Sequence, residues 1–151
     1  MGQEILPTKD ELAMSVDNLP DEGVGDEAPE LYDLAARIGT DDQKTWFSLG
    51  LKLFDCGMLD KSLGCLQRTE AITGPKKDTA QAVAALCWQG MIMDETGRRA
   101  EALEFYKKAL SFQSKSVRSY NQWNLTIDSA WIKQRLDEPY KGIKHLYPGL
   151  K

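Results

Sequence analysis

Three things are scarce in this chain of 151 residues, and each scarcity removes a class of function. Histidine occurs once, as His145, and nothing ties it to a nucleophile or to an orienting carboxylate, so acid–base catalysis has no visible centre. Cysteine occurs three times, as Cys56, Cys65 and Cys87. An odd number with no close pair and no metal-ligand spacing speaks against a disulfide framework and against a zinc site, and the three read as buried thiols. No apolar run is long enough to span a membrane, and the N-terminus lacks the basic start and hydrophobic stretch of a secretory signal, which predicts a cytoplasmic protein. A glycine-rich phosphate loop is also missing, since Gly97-Arg98-Arg99 reads as a turn between helices. The expectation is a protein that is not an enzyme and holds neither cofactor nor metal.

What is present begins with an uneven charge. The formal net charge of -4 combines an acidic start, in which residues 1–30 carry nine carboxylates against Lys9 alone, with a mildly basic remainder carrying fourteen against eighteen. A like-charged run with few aromatics reads as a solvated, disordered arm, and the alternative is an arm that docks on the body. Within it, Thr8 and Glu11 have the spacing of a capping box, which allows a short helix over about 9–18. Pro20, Gly23, Gly25 and Pro29 then interrupt regular structure, placing an acidic arm over 1–29 and a folded domain over 30–151. Leu31, Leu34, Ala35 and Ile38 follow at helical spacing and stop at Gly39. A sequence pI near 5.1 disfavours nucleic acid, although Lys76, Lys77, Arg98, Arg99, Lys107 and Lys108 can form a modest basic ridge.

The body repeats itself every 40 residues without a gap. Gly50, Gly90 and Ala130 form one column, Gly57, Gly97 and Asp137 a second, and Ser62, Ala102 and Gly142 a third. Leu63, Leu103 and Ile143 follow, then Leu66, Tyr106 and Leu146. A fixed period of this size marks stacked supersecondary units that cannot bury their apolar faces alone. The first unit opens at Thr40, Asp41 and Asp42, whose oxygens suit a helix start, places Trp46, Leu49, Gly50 and Leu53 on one face, and turns at Gly57. Asp60 can cap the returning helix, on which Leu63, Leu66 and Ile72 face inward, and Thr73, Gly74 and Pro75 close the unit. In the second, Asp78 or Thr79 caps a helix carrying Val83, Leu86, Gly90 and Met93. Gly97 makes the turn, and Ala102, Leu103, Tyr106, Ala109 and Leu110 form the stripe of the partner helix. The third is degenerate: Trp123, Ile127, Ala130 and Trp131 keep helical spacing, Asp137 replaces the turn glycine, and Pro139 can start a short last helix. The small columns let paired helices approach to the short end of the usual axial range.

Trp46-x2-Leu49-Gly50-x2-Leu53 and Ala102-Leu103-x2-Tyr106-x2-Ala109-Leu110 resemble the tetratricopeptide repeat over roughly residues 41–151, in a variant with 40-residue rather than 34-residue units. The resemblance implies an all-α fold, a right-handed superhelix of antiparallel helix pairs with two clear units and a degenerate third. It also implies a concave groove lined by the first helix of each pair. The columns carried over are Phe47, Leu51, Phe54 and Asp55 in the first unit, Trp88, Met91, Asp94 and Glu95 in the second, and Asn124, Asp128 and Trp131 in the third. Open aromatic and methionine side chains would anchor a partner. The alternative is that a further helix or the arm covers these rings as ordinary core.

Co-chaperones of this family grip a C-terminal carboxylate with Lys, Asn and Arg, whereas the matching positions here are Phe47, Leu51, Trp88, Asn124 and Asp128, which disfavours such tails. The resemblance therefore implies a protein-protein interaction module or adaptor for an apolar, basic-flanked peptide or helix, steered by Asp55, Asp94, Glu95 and Asp128. Two other classes stay open: a holdase-type chaperone for an unfolded segment, and a self-associating structural module that dimerises through the C-terminal repeat.

Overall fold

The computed structural model describes residues 5–19, 27–75, 77–112, 117–118 and 126–141. In order, the elements are α1 (Lys9–Asp17), α2 (Glu27–Ile38), α3 (Gln43–Asp55), α4 (Leu59–Ala71), α5 (Thr79–Glu95), α6 (Arg99–Ser111), β1 (Val117–Arg118), β2 (Thr126–Ile127) and α7 (Ser129–Asp137). The fold is all-α, with one antiparallel ladder pairing Val117 with Ile127 and Arg118 with Thr126. The chain divides between Ile72 and Thr73 into two compact units.

The forty-residue spacing survives in the helix ends. α3 stops at Asp55 and α5 at Glu95; α4 runs from Leu59 to Ala71 and α6 from Arg99 to Ser111. The turns repeat as well. Gly57 and Gly97 take φ of 82° and 75°, a left-handed conformation that side chains resist. The amide after each glycine bonds back five residues, Met58 N to Leu53 O at 2.9 Å and Arg98 N to Met93 O at 2.7 Å. Each glycine amide reaches back to Phe54 O or Asp94 O, completing a Schellman turn that satisfies the last carbonyls of the first helix.

In the N-terminal unit, α3 and α4 form one antiparallel hairpin. Ser62 Oγ donates to Gly50 O at 2.7 Å near the turn, and Gln43 Nε2 donates to Thr69 O at 3.1 Å at the open end. Gly50 has no side chain because Cys65 and Leu66 of α4 lie against it; an added Cβ would sit 3.1 Å from Cys65 Cβ. Against this hairpin pack α1 and α2. Leu12, Val16 and Leu19 are buried in one core with Ala28, Ala35, Trp46, Leu49 and Leu53. Tyr32 of α2 meets Trp46 edge-on at 6.2 Å, and its hydroxyl occupies the space that a Cβ on Gly64 would need, 2.9 Å away.

The acidic arm expected over 1–29 is therefore corrected in its described part. Thr8 and Glu11 do form the capping box, with Thr8 N to Glu11 Oε1 at 2.9 Å and Glu11 N to Thr8 Oγ1 at 3.0 Å, and the helix they start is part of the core. The apolar side chains of this short segment outweigh its charge: Leu12 and Val16, one helical turn apart, face inward while Asp10, Glu11 and Asp17 stay in water. Lys52 Nζ adds a bond to Leu19 O at 3.1 Å. α2 starts at Glu27, so no boundary falls at Pro29.

In the C-terminal unit α5 pairs with α6, and α7 packs on α6. Asp78 caps α5 by accepting from Gln81 N at 3.2 Å. α5 carries no charged residue from Thr79 to Met93, and every side chain from Gln81 to Met93 is buried, as expected of a helix apolar all round. The third repeat departs from its expected form. Ile127 sits in the two-residue ladder instead of a helix, Asp128 becomes an N-cap, and Ala130 is exposed rather than at a helix crossing. Pro139 starts no helix over its described neighbours, and Trp123, Asn124, Gly142, Ile143, His145 and Leu146 lie outside the described residues.

α1 and α7 share one more regularity. Lys9–Asp17 and Ser129–Asp137 are each nine residues long and stand three periods apart. Each is capped at the preceding residue, Thr8 or Asp128, by a side chain accepting from the third helical amide. Each buries the residue four positions after the cap, Leu12 or Ile132.

Candidate functional site

The residues expected to line a groove are distributed between core and surface. Phe47, Trp88 and Met91 are fully buried and Leu51 is 2% exposed. These four are corrected from groove to core. Phe47 and Leu51 stand four apart on α3, one helical turn, and Trp88 and Met91 belong to a helix with no charged side to turn toward water. Phe54 is half-buried and Asp55 exposed. Trp131 is half-buried, its ring 6.1 Å from Tyr106 in an edge contact, with the Arg135 guanidinium 5.3 Å over its other side. Asp128 spends its carboxylate on the Trp131 amide at 2.9 Å.

Asp94 has a different role from the steering charge expected of it. Its side chain is 1% exposed and lies at the centre of a polar knot. Tyr106 donates its hydroxyl to Asp94 at 2.8 Å, the Tyr140 amide donates at 2.9 Å, and Arg99 Nη1 lies 3.2 Å from both carboxylate oxygens. Arg99 Nη2 then donates to the carbonyls of Arg135 at 2.6 Å and Leu136 at 3.2 Å, in the last turn of α7. One carboxylate thus connects the end of α5, the start and middle of α6, the end of α7 and the strand of chain at Tyr140. Burial, and then the adjacent carboxylate, push the Tyr106 phenol well above its ordinary range.

The sequence reading placed Arg99 in a basic ridge and Tyr106 in an apolar stripe, and so missed both as members of this knot. A signal was available in the repeat columns. The first unit has Phe54, Leu59 and Leu66 where the second has Asp94, Arg99 and Tyr106, three apolar positions exchanged together for a set that can bond to itself. Of the other residues expected in the basic ridge, Arg98 pairs with Glu101 at 2.7 Å and Lys107 with Glu104 at 4.0 Å, and Lys76 lies outside the described residues.

Asp55 and Glu95 are the expected site residues that remain at the surface. They occupy the same repeat column, and each is the last residue of the first helix of its hairpin, where the helix dipole already concentrates negative charge. Partial burial, and next the charge of Asp94, hold Glu95 above the usual carboxylate range. Cys65 and Cys87 are buried, and loss of water pushes both thiols up and away from reactivity. Cys56 is exposed, contrary to the expectation of three buried thiols.

Among the described residues no helix is long and apolar enough to cross a membrane, and no group of three or more His, Cys, Asp or Glu side chains could hold a metal ion. Compared with protein-family models, curated proteins and solved structures, the chain matches none.

Proposed function

We propose that this chain is a protein-protein interaction module, an adaptor resembling the tetratricopeptide repeat that takes an apolar peptide or helix with basic flanks. The observation that carries it is the column shared by Asp55 and Glu95. A carboxylate at a helix C-terminus opposes the dipole and costs the helix a few tenths of a kcal/mol up to ~1 kcal/mol. Both hairpins keep one there, exposed, at a forty-residue spacing. Each helix end, negative by dipole and by side chain, attracts lysine or arginine on a partner. Half-buried Phe54 supplies an apolar contact beside Asp55 in the first unit, and Trp131 one in the second. Binding would rest on these surface residues rather than on Phe47, Leu51, Trp88 and Met91, whose burial fits a role in the core.

Self-association through the C-terminal repeat has less behind it. The outward residues of α7, namely Ala130, Lys133, Gln134 and Asp137, form a polar strip rather than an uncovered apolar face.

The test is fluorescence anisotropy with a labelled amphipathic peptide whose leucine-rich helix is flanked by lysines. Asp55→Lys combined with Glu95→Lys should weaken binding about tenfold at physiological salt, with a smaller difference at high salt. Equal binding by the charge-reversed protein, or no binding by the unaltered chain at micromolar concentrations, would remove the adaptor reading.

A further inference from the structure

The polar knot at Asp94 does something that the first hairpin manages without. There, Phe54, Leu59 and Leu66 fill the equivalent columns with apolar groups. A buried ion pair generally contributes no more stability than apolar side chains of the same volume, but it demands one geometry and fails abruptly when a partner is removed. An apolar solution was available to this sequence, so what the pair adds is discrimination between a docked and an undocked arrangement.

The element being discriminated is α7. A nine-residue helix is too short to be stable alone in water, so it depends on its seat. Within that seat, Ile132 is buried and Trp131 touches Tyr106 edge-on. The polar attachments hold its last turn and the chain just beyond it. Arg99 binds the carbonyls of Arg135 and Leu136 with one nitrogen and Asp94 with the other, while Asp94 also receives the Tyr140 amide beyond the helix. The α5/α6 hairpin also has closing contacts outside this pair. They are the approach of Gly90 to the Tyr106 ring and the Schellman turn at Gly97, and neither requires α7.

We propose that the Asp94–Arg99 pair is a latch for a C-terminal strap. Residues 129–140 dock on the hairpin as one unit when the pair is closed and leave as one unit when it opens, while α5 and α6 stay folded. The strap is the low-stability cooperative segment of its unit, and Arg99 is the positioning residue that couples the last turn of α7 to the chain at Tyr140.

Hydrogen exchange of the full chain, read by mass spectrometry or NMR, tests this directly. In Arg99→Met, which keeps the length of the side chain and removes its donors, amides of 129–137 should lose about 100-fold in protection while those of 81–93 change by less than about threefold. Arg99→Lys keeps a charge for Asp94 but cannot also span two carbonyls, so it should show a smaller loss confined to the same segment. Should Arg99→Met fail to fold, the triple variant Asp94→Phe, Arg99→Leu, Tyr106→Phe imports the first hairpin's residues at the pair and keeps a ring beside Gly90 and Trp131. Its hairpin amides should remain protected and its α7 amides should not. Unchanged protection of α7 in Arg99→Met, equal loss across α5, α6 and α7, full protection in Arg99→Lys, or a protected α7 in the triple variant would each overturn the latch.

Discussion

The two hairpins of this chain solve one packing problem in two ways. At the crossing of the first, Gly50 meets Cys65 and Leu66, and an added methyl would need its neighbours to give by a few tenths of an ångström. At the crossing of the second, the same methyl on Gly90 would fall 2.6 Å from Tyr106 Cε1, inside the ring. The first hairpin ties its helices with a neutral bond, from the Ser62 hydroxyl to Gly50 O; its counterpart has Ala102 in that column and carries the charged knot at Asp94 nearer its turn. A common period therefore fixes where helices begin, turn and cross, and leaves open which side chains, apolar or charged, occupy the columns beside the crossing.

The contrast should be most severe at the knot itself. Asp94→Ala strips partners from a half-buried guanidinium, a buried phenol and a backbone amide, and urea unfolding should show a loss of about 3–5 kcal/mol. Phe54→Ala in the equivalent column removes a half-buried ring and should cost about 1–2 kcal/mol. Equal losses would mean that the knot is no more demanding than ordinary packing. Next in size, Gly90→Ala should destabilise by about 1–3 kcal/mol, since Tyr106 is held from both sides and cannot retreat. Gly50→Ala should fall within about 0.5 kcal/mol of neutral, because the gain in helix propensity offsets a mild compression. Thermal melts of the two variants measured side by side decide this, and a Gly90→Ala protein as stable as Gly50→Ala would show that the ring can move. Ser62→Ala, which copies the second hairpin into the first, should cost about 1 kcal/mol, the usual worth of a buried neutral hydrogen bond.

The smallest effects concern pH, and here the two units should respond in opposite directions. Bonds from the Thr8 backbone amide and then its side chain hold the Glu11 carboxyl below its usual range. Its contribution is present above the unfolded value and is lost as pH falls through the folded one. Glu95 is held high, so folding favours its protonated form; that contribution is present below the unfolded value and is lost as pH rises through the folded one. Side-chain carboxyl titrations by NMR should place Glu11 below and Glu95 above the ordinary glutamate value. Identical midpoints would remove the distinction.

Much of the hairpin architecture was legible before any coordinates. The turn glycines at 57 and 97, the cap at Asp78, the Thr8–Glu11 box and the small columns at 50 and 90 are all where the period puts them, because each is a local requirement of helix ends or of close approach. Exposure was less legible. Periodicity tells which faces are apolar, and from Thr79 to Met93 there is no polar face for it to find, so Trp88 and Met91 could be read as groove or as core until their burial was seen. The absence of charge over that stretch was the better guide. The N-terminal tail misled for the opposite reason: nine carboxylates dominate its composition, yet Leu12, Val16 and Leu19 at turn spacing suffice to bind it to α3. The knot escaped because Arg99 on a helix surface reads as a solvated charge and Tyr106 as a stripe residue, while Tyr140 is brought to Asp94 only by the tertiary fold.

The three sulfurs have unequal fates, and that has a practical use. With Cys65 and Cys87 withdrawn from water and their thiolates suppressed, Cys56 stands alone at the surface beside the Gly57 turn. A maleimide dye added to the unmutated chain should attach there and nowhere else while the fold holds. Uptake of a second and third dye would then time the opening of the interior, turning the native cysteines into a built-in clock for unfolding.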